Sequence, residues 1–223
     1  MKRFLFFCIC ACLFTSFTLT GCIDEVKDDT PPFITVVGSN PVYIRLNSPF
    51  YDSGVIITDN YGVFKMWIDT SELNIHKAGR YKVYYFAEDF NNNVANAERT
   101  VIVRIEGANL TGKWSGERIS PYPGGISVLF TDSLYNPGTR HIYFEQIGGL
   151  YPSLIKADLL GYLGDTLGFS KQIIEITDTS TTYFLASGTI QHDGKSFQLF
   201  YHLITETATS LDTSYISQLI YHK

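Results

Sequence analysis

The amino-acid sequence predicts an all-β protein in which two antiparallel β domains follow one another. Apolar and polar residues alternate in short runs, such as Val42–Leu46 and Thr100–Ile105, with the period of a β-strand. Turn-forming clusters, among them Asn47-Ser48-Pro49 and Asn91-Asn92-Asn93, separate these runs. The chain has 223 residues, which is enough for two small β domains with a core each. A division is expected at residues 106–109.

The N-terminal residues have the pattern of a secretory signal peptide. Lys2 and Arg3 are followed by an apolar run, Phe4–Phe17, that contains no charge. This run is short for a transmembrane helix, which needs about 20 apolar residues. Residues 1–21 are therefore predicted to be removed from the mature protein.

The predicted signal peptide ends at a cysteine. The sequence Leu19-Thr20-Gly21-Cys22 resembles the lipobox of bacterial lipoproteins, which implies that Cys22 is acylated and becomes the first residue of the mature chain. The other cysteines, Cys8, Cys10 and Cys12, lie in the removed segment, so no disulfide is expected in the mature body. A lipid on Cys22 anchors a protein to a membrane. The alternative is an ordinary secretory signal with an incidental cysteine.

An acidic segment, residues 22–29, follows the lipobox. Its sequence Ile23–Asp29 resembles the acid-rich export signal with which some Gram-negative gut bacteria send lipoproteins to the cell surface. The resemblance implies an outer-membrane protein that is exposed at the cell surface. The alternative is a solvated linker that its charges keep extended. Both interpretations make the segment a tether.

The first β domain is predicted over residues 30–106. Several motifs occur there in order: Asp29-Thr30-Pro31-Pro32, Gly54-Val55, Ala78-Gly79-x-Tyr81, Tyr85-x-Ala87-x-Asp89 and Arg99-Thr100-Val101. Together they resemble the bacterial immunoglobulin-like domain that is repeated in many surface proteins and found in a pesticidal crystal toxin. The resemblance implies an immunoglobulin-like β-sandwich that acts as a spacer or an adhesion module.

Four aspartates of this region raise the question of a calcium site. Asp29, Asp52, Asp59 and Asp89 all lie at predicted turns, but they lack the loop spacing of an EF-hand. Capping of turns is the favoured interpretation. The sequence therefore predicts neither a metal site nor a cofactor.

The second domain, residues 108–223, is predicted to be an antiparallel meander or barrel. The segment Gly188–Gln191 is joined to Ser196–Phe200 by His192-Asp193-Gly194-Lys195, whose Asp-Gly pair is a strong hairpin signal. Trp114 between Gly112 and Gly116 resembles the start of lipocalin-like folds. The sequence Tyr143–Tyr151 is similar to the lipocalin-like C-terminal domain of gut bacterial lipoproteins. A short helix and a loop are the alternatives for residues 154–163.

The residues of the mature chain do not suggest an enzyme. Cys22 is the one thiol and is consumed by the lipid, and no Gly-x-Ser-x-Gly elbow occurs. The histidines are scattered without zinc-ligand spacing. The net charge of −5 becomes more negative without Lys2 and Arg3, and Lys and Arg do not cluster, so nucleic acid is not an expected partner. No catalytic residue is predicted.

Binding is the function class that remains. Sugar rings suit aromatic platforms with a few polar groups nearby. Four tyrosines in glycine- and proline-rich loops of the second domain are the candidate ligand-binding residues, with ordinary packing as the alternative: Tyr122, Tyr135, Tyr151 and Tyr162. The leading hypothesis is a monomeric, lipid-anchored surface protein that captures glycan for an uptake system without catalysis. The alternative is a structural spacer or an adhesin that binds another surface protein.

Overall fold

The computed structural model of the protein describes residues 27–122, 124–136, 138–150, 154–214 and 216–223. The predicted signal peptide, the predicted lipidation residue Cys22 and most of the predicted tether lie outside these residues. Across the described ranges, no helix has the length and apolar character needed to span a membrane.

The first six strands form two sheets that pack against each other. The strands are β1 (Phe33–Val36), β2 (Val42–Arg45), β3 (Val55–Thr58), β4 (Val63–Asp69), β5 (Gly79–Asp89) and β6 (Val94–Arg104). β1 pairs with β3, while the larger sheet has the order β2-β6-β5-β4. β2 runs parallel to β6, and the other pairs are antiparallel. The core between the sheets contains the fully buried residues Val83, Tyr85 and Val101.

A buried arginine joins the two sheets of this sandwich. Arg99 on β6 is only 2% exposed. Its guanidinium donates hydrogen bonds to the carbonyl oxygens of Val37, Ser39 and Gly54, which lie beside the ends of β1 and β3. The Asp52 carboxylate lies 3.2 Å from its Nε. One side chain thus donates to backbone carbonyls beside the small sheet, and it adds a second donor to the Gly54 carbonyl, which also accepts from the Val37 N–H at 3.0 Å.

Ten further strands follow a short helix, α1 (Gly107–Leu110). They are β7 (Gly112–Ile119), β8 (Ser127–Tyr135), β9 (His141–Phe144), β10 (Ile155–Leu160), β11 (Thr166–Gly168), β12 (Gln172–Ile176), β13 (Ser180–Ile190), β14 (Ser196–Thr207), β15 (Leu211–Thr213) and β16 (Ser217–His222). Neighbours follow the order β13-β11-β10-β9-β8-β7-β16-β14, and β14 pairs again with β13. These eight strands therefore form a closed barrel. The predicted all-β fold, a sandwich followed by a barrel, is confirmed.

Two of the barrel positions are occupied by broken strands. β11 and β12 pair with successive parts of β13, and β15 and β16 pair with successive parts of β14. At the start of β12, the side-chain amide of Gln172 accepts a hydrogen bond from the Lys156 N–H at 2.8 Å and donates one to the Lys156 carbonyl at 2.7 Å. The Gln172 side chain thus takes the place of backbone–backbone hydrogen bonds to β10 at the point where β11 has ended and β12 does not pair with β10.

Side chains fill the barrel interior. Gly116 is needed there, because a Cβ at this position would lie 2.5 Å both from the Ile220 carbonyl oxygen and from the Phe130 ring. The aromatic residues at the centre are at most 2% exposed and pack largely edge to face: Trp114, Phe144, Phe184, Phe197 and Tyr221. This is the dense packing of a core. A ligand is consequently expected at an end of the barrel or on its outer surface.

Residues 154–163, for which the sequence left a helix and a loop as alternatives, contain the strand β10. Ile155, Ala157 and Leu159 are buried on one face, with the period of two that defines a strand. The outward-facing Leu160 is also apolar and is 46% exposed. Because Leu160 is apolar on the solvent side, the sequence does not show the alternation of apolar and polar residues that is typical of a strand. The helix and the loop considered for this segment were therefore both wrong.

The sandwich covers one end of the barrel. The Ile105 N–H donates to the Leu163 carbonyl at 2.7 Å, and Leu46, 1% exposed, packs into the barrel core. We call this end the near end. The far end is the one at which β7 ends at Ile119 and β8 begins at Ser127.

Candidate functional site

A pocket of about 480 Å³ opens at the far end of the barrel. The β7–β8 loop forms one wall, and residues of β14 and the chain before β16 form the other. Its lining combines a guanidinium, three serines, a tyrosine on each wall and an apolar remainder: Arg118, Ser120, Pro121, Tyr122, Ile126, Val128, Leu150, Tyr201, Ser214 and Ser217. We call it the far-end pocket.

Arg118 enters this pocket because of the strand period. Trp114 and Gly116 on β7 are buried in the barrel, and Arg118 is the next residue on the same face. It lies in register with Leu219, which is fully buried, and with Val128, which is 40% exposed. Arg118 forms no ion pair with any residue of the described ranges. The barrel mouth thus carries a positive charge that an incoming polar ligand can meet.

Tyr122 is presented by a tight loop. The Tyr122 N–H lies 3.4 Å from the Ser120 Oγ, and the Gly125 N–H donates to the Tyr122 carbonyl at 2.7 Å. Gly124, with φ of 76°, occupies the left-handed region that glycine adopts without strain. The tyrosine remains 60% exposed. An exposed ring on a braced loop is suited to contact the flat face of a ligand.

The structure does not bring the four candidate tyrosines together. Tyr122 lies at the far end, whereas Tyr135, at the C-terminal end of β8, and Tyr162, in the turn after β10, lie at the near end. Tyr135 is next to Tyr143, with ring centroids 6.1 Å apart. Tyr151 lies outside the described residues. The separation follows from strand direction, since β8 starts at the far end and finishes at the near end.

The lining of the far-end pocket combines apolar, aromatic and hydrogen-bonding groups. Its apolar wall and its tyrosines match the C–H faces of a sugar ring, and a guanidinium and hydroxyl groups match sugar hydroxyls or an acidic substituent. Arg118 was missed by the sequence analysis. The alternation that places Trp114 inward could have found it, because Arg118 is four residues further along the same face.

A buried polar network lies deeper in the barrel. The Tyr221 hydroxyl donates to the Asp132 carboxylate at 3.0 Å and accepts from the Gly148 N–H at 2.9 Å. The Gln146 N–H also donates to Asp132, at 3.0 Å. Burial raises the pKa of Asp132 and that of Tyr221 above their ordinary values. Both groups are enclosed and bonded to their neighbours, which indicates that they fix the chain after β9 to the barrel core.

The carboxylates of three aspartates lie close together at the end of the sandwich that is away from the barrel. One carboxylate oxygen from each of Asp28, Asp59 and Asp89 lies within 4.8 Å of those of the other two. Burial raises the pKa of Asp89, but hydrogen bonds from Asn93 and Asn91 outweigh burial and hold this pKa below its ordinary value. Asp29 is exposed and pairs with Lys27, and Asp52 pairs with Arg99, so two of the four aspartates considered from the sequence join this cluster.

Comparison with known proteins identifies part of the chain. Residues 34–103 match the family model of the bacterial surface protein Ig-like domain. The predicted immunoglobulin-like resemblance is confirmed for this segment, which contains all of β1 to β6 except the first residue of β1 and the last residue of β6. Among solved structures, the chain is similar to the crystal structure of the lipoprotein BT2262 from Bacteroides thetaiotaomicron, with 15% identity and a TM-score of 0.31, over 86% of this chain and 100% of that one. No curated protein matches the chain.

Proposed function

We propose that the protein is a lipid-anchored, monomeric surface protein of the outer membrane that binds glycan at the far-end pocket without catalysis and serves a neighbouring uptake system. The observation that carries this proposal is the convergence of Arg118, Tyr122 and three serines in one pocket at the barrel mouth. The match of residues 34–103 to a domain of bacterial surface proteins supports the location.

In this proposal the sandwich is a spacer, and its contacts support that role. The start of the described chain packs at one end of the sandwich, where Asn93 Nδ2 donates to the Asp28 carbonyl at 2.9 Å. The barrel contacts the other end, through Ile105 and Leu46. The described chain thus begins at the end of the sandwich opposite the barrel, which supports an arrangement in which an upstream anchor leaves the far-end pocket directed away from the membrane.

Glycan binding is tested on an array with soluble residues 23–223, followed by titration of the best ligand. Replacing Tyr122 with Ala removes the stacking surface, and we expect at least a tenfold loss of affinity, which corresponds to about 1.4 kcal/mol. Arg118→Ala should have an effect of similar size. Tyr162→Ala is the matched control, because Tyr162 is also 60% exposed but lies at the near end. Absence of any bound glycan, or an equal loss in the Tyr162 variant, contradicts the proposal.

The anchor is tested in cells by fractionation. We expect Cys22→Ala to move the protein from the membrane fraction to the soluble fraction, because the lipid is its attachment. Cys12→Ala, inside the predicted signal peptide, is the control and should remain attached. Protease treatment of intact cells should degrade the wild-type protein if it is exposed at the surface. Membrane attachment of the Cys22 variant is the result that rules out the anchor.

The adhesin alternative has an observation of its own. β4 is an edge strand, and Phe64, Met66 and Ile68 on it are 57%, 49% and 44% exposed. On its other face Trp67 stacks against Phe86, with ring centroids 5.1 Å apart. Edge strands with exposed apolar side chains are common sites of protein association. A protein partner would therefore be expected on β4 rather than at the barrel mouth.

A further inference from the structure

We propose that Asp28, Asp59 and Asp89 form a calcium site that fastens the start of the sandwich domain to two of its loops. Asp28 precedes β1, Asp59 follows β3 and Asp89 ends β5, so the three ligands come from segments far apart in the sequence. This proposal is independent of glycan binding. It also departs from the sequence-based expectation that no metal is bound.

Two oxygens of the cluster have no hydrogen-bond partner. Asp28 Oδ2 and Asp59 Oδ2 are both buried, and neither is bonded to any atom of the described residues. Asp28 as a whole is only 5% exposed. Buried polar atoms are nearly always paired, and one that is left unpaired is a place to look for a bound ion.

The other carboxylate oxygens of these residues are already occupied. Asp28 Oδ1 accepts from the Thr30 N–H at 3.0 Å and from Asn60 Nδ2 at 3.1 Å. Asp59 Oδ1 accepts from the backbone N–H groups of Tyr61 and Gly62, at 2.9 and 2.7 Å. These bonds hold each carboxylate in a fixed orientation. The unpaired oxygens are therefore positioned by the fold and do not reach solvent.

The third carboxylate is equally fixed. Asp89 is fully buried, and both of its oxygens accept hydrogen bonds, from the N–H groups of Asn91 and Asn93 and from the Asn93 side chain. None of the three aspartates forms an ion pair with a Lys or Arg of the described ranges. Three ionised carboxylates close together repel one another, and a bound cation removes this repulsion.

The chemistry and the spacing favour Ca²⁺. The ligand set consists of oxygens alone, and calcium binds oxygens at about 2.3–2.6 Å. Two ligands on opposite sides of such an ion are separated by about 4.6–5.2 Å, and the separation of up to 4.8 Å in the cluster lies within that limit. Extracellular calcium modules have dissociation constants on the order of 10⁻⁴ to 10⁻³ M, which suits a protein outside the cell.

The test is calcium titration of the purified full chain after treatment with EDTA, followed by calorimetry and thermal unfolding. We expect one saturable site and a rise in the Tm of the sandwich domain by about 10–20 °C at a hundredfold excess of CaCl₂ over the dissociation constant. MgCl₂ at the same concentration should have a much smaller effect, because Mg²⁺ requires a tighter octahedral shell. An unchanged Tm and no heat of binding with CaCl₂ would overturn the proposal, as would an equal response to MgCl₂.

Asp59→Asn is the informative variant, because Asn keeps the oxygen that accepts from Tyr61 and Gly62. We expect it to bind calcium at least tenfold more weakly and, in EDTA, to unfold at or above the wild-type temperature because one repelling charge is gone. Asp69→Asn is the matched control: Asp69 Oδ1 accepts from the Ser71 N–H at 2.8 Å in the same kind of turn, away from the cluster. Wild-type calcium affinity in the Asp59 variant would overturn the proposal.

Discussion

Replacing Arg99 with Met is expected to lower the free energy of unfolding of the sandwich domain by about 3–5 kcal/mol, the cost of breaking a buried charge pair by removing one partner. The substitution removes the guanidinium donor from the carbonyl oxygens of Val37 and Ser39 and leaves Asp52 without its cation. The Gly54 carbonyl keeps its hydrogen bond from the Val37 N–H, at 3.0 Å. It also removes the bond from Nε to the Tyr85 hydroxyl, at 2.9 Å. The two sheets lose their main polar connection.

Arg99→Lys should recover only a small part of this loss. A lysine ammonium is a point charge with three donors, and it cannot reproduce the planar fork that reaches carbonyls on both sides. Arg80→Met is the control, since Arg80 lies exposed on the adjacent strand and should change stability by less than about 0.5 kcal/mol. Urea unfolding measures the sandwich when the fluorescence of Trp67 is followed in a Trp114→Phe background, so that the barrel tryptophan does not contribute. A loss below about 1 kcal/mol in Arg99→Met would contradict the role given to this residue.

Replacing Trp114 with Ala is expected to lower the free energy of unfolding of the barrel by about 3–5 kcal/mol, the range for a large aromatic removed from a core. Trp114 is 1% exposed and packs edge to face on Phe197 at 4.9 Å. Its indole Nε1 donates to the Leu110 carbonyl at 2.7 Å, which fixes the C-terminal end of α1 to the start of the barrel. The variant loses both the packing and this bond.

Two further substitutions separate these contributions. Trp114→Phe keeps most of the apolar area but not the donor, so it should cost less than Trp114→Ala. Trp67→Ala removes the other tryptophan, which is 40% exposed on the sandwich, and should leave the barrel transition unchanged. Urea unfolding followed by circular dichroism measures both. Equal stability of the Trp114→Ala barrel and the wild-type barrel would show that the near end is not held by this residue.

Local patterns predicted the strands that have one solvent face. The alternation over Val42–Leu46 corresponds to β2 and the start of the turn after it, and the Asp-Gly pair lies in the β13–β14 hairpin. The position of β10 could not be predicted, because Leu160 is apolar on the outer face. The breaks between β11 and β12 and between β15 and β16 also escaped prediction. They depend on register with β13 and β14, which is a property of distant parts of the chain.

The sites show the same division between local and distant information. Composition predicted that exposed tyrosines lie in the loops of the second domain, and Tyr122 and Tyr162 are both exposed there. Strand direction decides which of these tyrosines share a surface. Tyr122 and Tyr162 lie at opposite ends of the barrel and are therefore separated by the length of its strands. Asp28 was assigned to the tether because it follows an acidic run. Its burial becomes visible only when the loops around Asp59 and Asp89 are folded against it.

Hydrogen–deuterium exchange with and without the best array ligand tests the location of the binding site most directly. If the far-end pocket binds glycan, the ligand should slow amide exchange in residues 118–128 and 214–217, while residues 63–69 of β4 should exchange as they do in the free protein. Protection confined to β4, or no protection at the barrel mouth under saturating ligand, would contradict the proposed site.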